Sequence, residues 1–184
     1  MLLQSIIAAV IPAAVYTTLI YYIDRYEKEP FWLLITTFVW GAVPAVILAI
    51  IFNGIFGLPF YAIFGDASDA LVASFVAPLV EESIKGFMLL IILFLWREQI
   101  DSLLDGIIYG AMVGMGFAMV ENVFYFEAVF AEEGLEAWRF NIFLRAVIFG
   151  LNHALFTSMT GLGVAYARLT PNLLLRIMAP VIGW

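Results

Sequence analysis

The stretch from Ala77 to Leu90, APLVEESIKGFMLL, has the apolar character of a membrane-spanning helix, yet it contains two adjacent carboxylates and a lysine. Glu81 and Lys85 are four residues apart and Glu82 and Lys85 are three apart, so either pair can share one face of a helix. A charged group at the centre of a bilayer costs at least ~2.5 kcal/mol. Charges in such a position therefore need either partners or a function.

The composition of the whole chain indicates an integral membrane protein. Of its 184 residues, 65% are hydrophobic and 12% are charged, against about 25% charged residues in a typical soluble domain. Uninterrupted apolar runs of about 20 residues favour helices over a barrel, whose strands alternate polar and apolar residues. The sequence has no cysteine, which excludes disulfides and a thiol nucleophile, and its formal net charge of −7 argues against nucleic-acid binding.

These runs predict an all-α, polytopic transmembrane helical bundle with five spans, in one domain over residues 1–184. The short apolar segment 173–184 is expected either to lie at the interface or to begin a further span. Lysine and arginine are concentrated in the loops after spans one, three and five, which predicts that this side is cytoplasmic and the N-terminus outside. Pro78 is expected to bend the third span, while Asp105 and Glu127, near the ends of the fourth, are expected to be solvated. The predicted spans are 2–22, 31–52, 70–96, 102–130 and 141–166.

Ionisable residues inside the predicted spans fall in one layer. Lys85 cannot neutralise both Glu81 and Glu82, and Glu121 has no partner on its own helix. Counted at 1.5 Å per residue from the ends of their spans, Glu81, Glu121 and His153 lie at depths within ~5 Å of one another. We therefore expect these three side chains to meet inside the bundle. The ionisable residues within the spans are Glu81, Glu82, Lys85, Glu121, Arg145 and His153.

Small residues on the fourth and fifth spans predict that these two helices pack closely in the interior. Beside the small residues of the fifth span runs a second stripe, which repeats at every fourth position and is expected to face inward. The small residues are Gly106, Gly110, Gly114 and Ala118 on the fourth span and Ala146, Gly150, Ala154 and Ser158 on the fifth, and the second stripe is Arg145, Phe149, His153, Thr157 and Gly161.

These residue types suit hydrolysis by water. A crowded carboxylate in a low-dielectric site can act as a general base near neutral pH, and histidine and amide donors can stabilise an oxyanion. Glu81, Glu121 and His153 could instead bind a divalent metal, although the HExxH spacing is absent. Arg145 is either a counter-ion for a glutamate or a substrate clamp, and Asn122 either bridges helices or holds the oxyanion. A proton-coupled carrier and a non-catalytic adaptor stay alternatives, but no internal repeat typical of transporters is present.

Three motifs on the third, fourth and fifth predicted spans resemble those of the PrsW-type glutamic intramembrane proteases. This family belongs to the superfamily that includes the CAAX-prenyl endopeptidases and bacteriocin-processing enzymes. The CAAX enzymes usually have histidine in the second motif and asparagine in the third, whereas this sequence has Glu121 and Thr157, which fits the PrsW branch better. The motifs are EESIK (Glu81–Lys85), FAMVEN (Phe117–Asn122) and HALFT (His153–Thr157), and DRYEKEP (Asp24–Pro30) is similar to the family's first cytoplasmic loop.

The resemblance implies an intramembrane endopeptidase in the cell membrane of a prokaryote, acting on membrane-anchored proteins such as anti-sigma factors. It implies that Glu81 and Glu121 position the attacking water and that His153, with Thr157, holds the oxyanion. Glu82 and Lys85 would orient the site. No cofactor is expected, although a divalent metal is left open, as is the oligomeric state. The catalytic candidates are Glu81, Glu82, Glu121 and His153, and the supporting candidates are Lys85, Asn122, Arg145 and Thr157.

Overall fold

The computed structural model describes residues 1–23, 28–65 and 68–184 of the chain. In these ranges every regular element is a helix, which confirms the predicted all-α class. Residues 24–27, the first part of the motif DRYEKEP, lie outside the described residues. The helical segments are α1 (Leu2–Ile23), α2 (Phe31–Phe64), α3 (68–95), α4 (Leu103–Glu133), α5 (Leu135–Leu169) and α6 (Leu173–Gly183).

Within the described residues, α1, α2, α4 and α5 are long and apolar enough to cross a membrane. α3 occupies the predicted third span, but its last part, Ala77–Leu95, carries three ionisable residues, Glu81, Glu82 and Lys85, and α3 is not among those four. The count of five spans therefore stays a prediction, as does the side of the membrane on which the N-terminus lies.

Two helices depart from their predicted boundaries. α2 continues to Phe64, well past the predicted end at residue 52, because the apolar sequence continues on both sides of Asn53. α5 begins before residue 141 and is interrupted at 149–151. There Phe149 (φ −107°, ψ 15°) and Leu151 (φ −100°, ψ 0°) leave helical geometry.

Wider, π-type turns accompany two of the prolines. Pro44 lies inside the turn Gly41–Ala45 of α2, and Pro78 follows the turn Val72–Val76 of α3. A proline has no N–H and its ring collides with the carbonyl four residues earlier, so a regular α-helix cannot continue undisturbed. A locally wider turn absorbs this mismatch. The bend expected at Pro78 stays a prediction.

α4 is the central helix of the bundle. It packs against α1, α2, α3 and α5, and its contact with α5 is the most extensive. Tyr109 and Val113 of α4 are fully buried and form the main apolar core with Leu33 of α2 and Ile92 of α3. α3 and α5 also contact each other beside α4, so residues of all three helices can meet.

Two carboxylates near the ends of α4 are bonded within the protein. Asp105 is only 4% exposed, so its predicted solvation was wrong. It forms a capping box with Ser102, whose N–H donates to Asp105 at 2.7 Å while the Ser102 hydroxyl accepts from the first turn. Near the other end, Glu127 is half-buried and accepts a hydrogen bond from the Ser5 hydroxyl at 2.6 Å.

α6 runs antiparallel along α5. A Cβ on Gly163 would lie 2.3 Å from the Ala179 carbonyl oxygen, and one on Gly183 would lie 2.4 Å from that of Met159. Asn172 caps the start of α6 by accepting hydrogen bonds from the backbone. Residues 173–183 therefore lie against a helix that is able to cross a membrane.

Candidate active site

α3 brings a charged pair to the centre of the bundle. Lys85 is fully buried, and its ammonium group pairs with the Glu82 carboxylate one turn earlier. The Thr157 hydroxyl of α5 donates to the other Glu82 oxygen at 3.0 Å. The Lys85 ammonium also lies 4.3 Å from the centroid of the Phe117 ring of α4. The buried charge is thus neutralised by a carboxylate and faced by an aromatic ring, which offsets part of its desolvation cost.

His153 connects α3 to α4 through its two ring nitrogens. Lys85 Nζ lies 3.2 Å from His153 Nδ1. An ammonium group can only donate, so Nδ1 accepts. In the neutral ring the hydrogen is then on Nε2, which lies 3.0 Å from Glu121 Oε2 and donates to it. Lys85 therefore selects the tautomer that presents an N–H to Glu121.

Arg145 ties α5 to α4 at the same carboxylate. Its Nη2 donates to Glu121 Oε2 at 2.5 Å, and its Nε donates to Asn122 Oδ1 at 2.8 Å. Its guanidinium carbon lies 3.8 Å from the centroid of the Tyr125 ring. Arg145 is thus ion-paired with Glu121, and Asn122 is hydrogen-bonded across the two helices.

Two glycines of α4 allow the backbone of α5 to approach at the site. A Cβ on Gly114 would lie 2.3 Å from the His153 carbonyl oxygen, and one on Gly110 would lie 2.4 Å from that of Thr157. No real Cβ tolerates such distances without a shift of the neighbouring backbone. The small residues of α4 thus pack against α5 as predicted, and they set the height of His153 and Thr157 beside α4.

Glu81 lies outside this hydrogen-bonded set but close to it. It is near enough to Glu121, Lys85 and His153 to interact with each of them electrostatically. Its only hydrogen bond in the described residues comes from Asn53 Nδ2 of α2, at 3.3 Å to Oε1. Most of the hydrogen-bonding capacity of this carboxylate is therefore unused, since an ionised carboxylate has about four acceptor positions.

A cavity of about 180 Å³ opens beside these groups. Because a water molecule takes up ~30 Å³ in the liquid, the cavity has room for several waters. Arg145 and His153 reach it with side chains that are 27% and 24% exposed, whereas Lys85 and Thr157 are completely buried. The residues that line it are Ala118, Asn122, Arg145, Phe149, Gly150, Asn152 and His153.

The structure brings the predicted site residues into one region and adds two residues that were not predicted. Phe149 is 51% exposed at the interruption of α5, and it lines the same cavity as Arg145 and His153. Asn53 and Tyr125 were missed; a single asparagine inside the long apolar run of α2 was the pattern that could have indicated the first. The residues joined by hydrogen bonds or ion pairs are Asn122, Arg145, Glu121, His153, Lys85, Glu82 and Thr157.

Comparison with known proteins gives a consistent result. Residues 29–184 match the model of the PrsW-protease family, described as PrsW family intramembrane metalloprotease. Protease PrsW of Oceanobacillus iheyensis is 32% identical over 174 residues, which cover 93% of this chain and 73% of that protein. Protease PrsW of Clostridioides difficile is 32% identical over 173 residues (94% and 69%), and that of Bacillus subtilis is 29% identical over 170 residues (90% and 69%). No solved structure matches the chain.

The word metalloprotease in that description implies a metal ion, and the described residues do not fit one. In the ranges 1–23, 28–65 and 68–184, no three histidine, aspartate or glutamate side chains come together in a way that could hold a metal. A catalytic zinc usually has three protein ligands. Both ring nitrogens of His153 are engaged, and Glu121 is already paired with Arg145. The alternative ligand set of Glu81, Glu121 and His153 therefore has no support in this geometry.

Proposed function

The chain belongs to the PrsW family, and on this premise we propose that it hydrolyses peptide bonds of membrane-anchored protein substrates with water activated by a glutamate. The curated relatives are bacterial proteases, and four helices among the described residues are long and apolar enough to cross a membrane. The observation that carries the proposal is the polar set around Glu121 and His153, which reaches a cavity with room for water.

Glu81 is the best candidate for the general base. Glu82 is occupied on both oxygens by Lys85 and Thr157, and Glu121 Oε2 accepts from both Arg145 and His153. Glu81 has only the contact with Asn53 among the described residues, so it can accept a proton from water. As the water oxygen attacks the carbonyl carbon, Glu81 takes its proton and then delivers it to the leaving amide nitrogen.

His153 and Arg145 are the best candidates for stabilising the oxyanion. Both are partly exposed at the cavity: Arg145 keeps N–H groups beyond those bonded to Glu121 and Asn122, and the Nε2–H of His153 would turn from Glu121 to the developing oxyanion. Preorganised donors of this kind are usually worth several kcal/mol when charge develops on a carbonyl oxygen. Thr157 is fully buried and donates to Glu82, so its place in the site supports an orienting role rather than a contact with substrate. Lys85 donates to His153 Nδ1 and is itself held by Glu82, so we assign both residues an orienting role as well.

We place the N-terminus outside the membrane, with five spans that include α3. Arg97, Arg168 and Arg176 lie around one cavity, as expected if the loops after spans three and five are on the same side. The Trp32 and Trp96 rings, 5.4 Å apart, support an interface at that end of the bundle. The substrates we propose are single-span membrane proteins, of the kind that anti-sigma factors represent.

Co-expression with a library of tagged single-span membrane proteins tests the proposed function. Wild type is compared with His153→Ala and with Arg139→Gln, a control at an ion pair whose side chains are 61% and 85% exposed. We expect new fragments with wild type and with the control and none with His153→Ala at equal folded yield. Fragments from all three chains, or a loss of fragments only where the folded protein is lost, would favour the adaptor or carrier alternatives.

A further inference from the structure

A second cavity, remote from the candidate active site, lies where α3, α5 and α6 meet. It encloses about 350 Å³ and is lined by three arginines, Arg97, Arg168 and Arg176, together with Leu93, Phe94 and Ala167. Arg97 follows α3, Arg168 is in the last turn of α5 and Arg176 is in α6. Cationic side chains from α5, from α6 and from the turn after α3 therefore line the same cavity.

Two of these arginines are held in position by backbone carbonyls. Arg168 Nε donates to the Arg97 carbonyl oxygen at 3.2 Å, and Arg176 Nη2 donates to that of Thr170 at 3.0 Å. A guanidinium group has five N–H donors, so each retains several for a ligand. The ion pairs found in the described parts of the chain involve other residues.

The charge and polarity of this cavity favour an amphipathic anion. The chain has a net charge of −7 with only eight lysines and arginines, and three of the eight converge here. The other residues that line the cavity, Leu93, Phe94 and Ala167, are apolar, and Phe94 is 75% exposed. Trp96, which precedes Arg97, packs edge to face on Trp32. Tryptophan pairs of this kind are typical of the level of the lipid headgroups.

We propose that this cavity binds the phosphate headgroup of an anionic phospholipid, with an acyl chain along Leu93 and Phe94. Arginine suits phosphate because its N–H groups can bind two oxygens at once, and basic pockets between membrane helices favour anionic headgroups. The bound phosphate would bridge α3, α5 and α6 and hold α6 against the bundle. This inference is independent of the proposed proteolysis.

The test is thermal unfolding of the purified chain of 184 residues in neutral detergent. Phosphatidylglycerol is titrated in, with phosphatidylcholine of the same acyl chains and inorganic phosphate as separate arms. We expect a saturable rise in Tm with phosphatidylglycerol alone and a half-saturating concentration about fivefold higher for each arginine removed. An equal rise with phosphatidylcholine would overturn the anion specificity, and an equal rise with inorganic phosphate would overturn the lipid.

Three variants make the test specific to this cavity. Arg97→Gln is the first choice, because Arg97 contacts Arg168 through its backbone carbonyl and not its side chain, so the variant is expected to fold. Arg97→Lys retains the charge and should recover most of the shift. Arg139→Gln removes a charge elsewhere and should behave as wild type. An unchanged phosphatidylglycerol response in Arg97→Gln and in Arg97→Gln/Arg176→Gln would refute the proposal.

Discussion

Glu81 and Glu82 are neighbours on α3, but they belong to two different regions of the site. The buried region consists of Glu82, Lys85 and Thr157, in which every charge has a partner and two side chains have no exposed surface. The open region consists of Glu81, Glu121, Arg145 and His153, and two of these, Arg145 and His153, line a cavity with room for water. In the buried region the two charged groups are paired with each other, whereas in the open region the Glu81 carboxylate keeps free acceptor positions. The difference separates groups that position the site from groups available to react.

Replacing Glu81 by glutamine should have the largest effect on activity. It removes the proposed general base and should lower the rate of substrate cleavage by ~10²–10⁴-fold. The amide is close in size and can still contact Asn53, so the folded yield and Tm should change little. Cleavage is measured with a substrate found by co-expression, at equal amounts of folded enzyme. Full activity of Glu81→Gln would remove the distinction between the two regions.

Replacing Glu82 by glutamine should act mainly on stability. It leaves the fully buried Lys85 ammonium without its carboxylate, which typically costs ~3–5 kcal/mol. The free energy of unfolding is measured by denaturant titration in detergent micelles.

The double variant Glu82→Gln/Lys85→Met sharpens this result. Removing both charges should restore most of the lost stability, because the unpaired charge is gone. It should nevertheless lower cleavage, because His153 Nδ1 no longer has its donor. Cleavage at the wild-type rate would show that Lys85 has no role in orienting His153.

Replacing Gly114 by alanine tests whether close packing of α4 and α5 positions the open region. The added Cβ would lie 2.3 Å from the His153 carbonyl oxygen. Overpacking of this kind costs ~1–3 kcal/mol, and a displacement of ~1 Å at a catalytic group can cost about 10²-fold in rate. Gly54→Ala is the matched control, because nothing lies within 4 Å of its added Cβ. If both variants behave alike, α5 is not positioned by Gly114.

The sequence allowed the layer of polar residues to be predicted because that layer depends on local periodicity. Counting residues along each span was enough to bring Glu121 to the level of His153, and the glycines of α4 indicated which helices approach closely. Both follow from the constant rise and repeat of a helix. The contact between His153 and Glu121 and the packing of Gly114 agree with this reasoning.

The division into two regions could not be predicted, because it depends on contacts between distant helices. Adjacent residues on a helix point about 100° apart, so the different partners of Glu81 and Glu82 follow only once α2 and α5 are packed beside α3. Asn53 was missed because the end of an apolar run is poorly defined in sequence. The interruption at 149–151 was not predicted, because a straight helix was assumed there.

Replacing Tyr125 by leucine should give the smallest effect and tests how firmly the open region is held. The Tyr125 ring lies under the Arg145 guanidinium at 3.8 Å, but it is 45% exposed. A cation–π contact at such a site is worth ~0.5–1 kcal/mol, so cleavage should fall by no more than about fivefold. Tyr125→Phe keeps the ring and should match wild type. A loss in Tyr125→Phe as large as in Tyr125→Leu would mean that the hydroxyl group matters. A much larger loss in Tyr125→Leu alone would mean that Arg145 depends on this ring more than on Glu121 and Asn122 for its position.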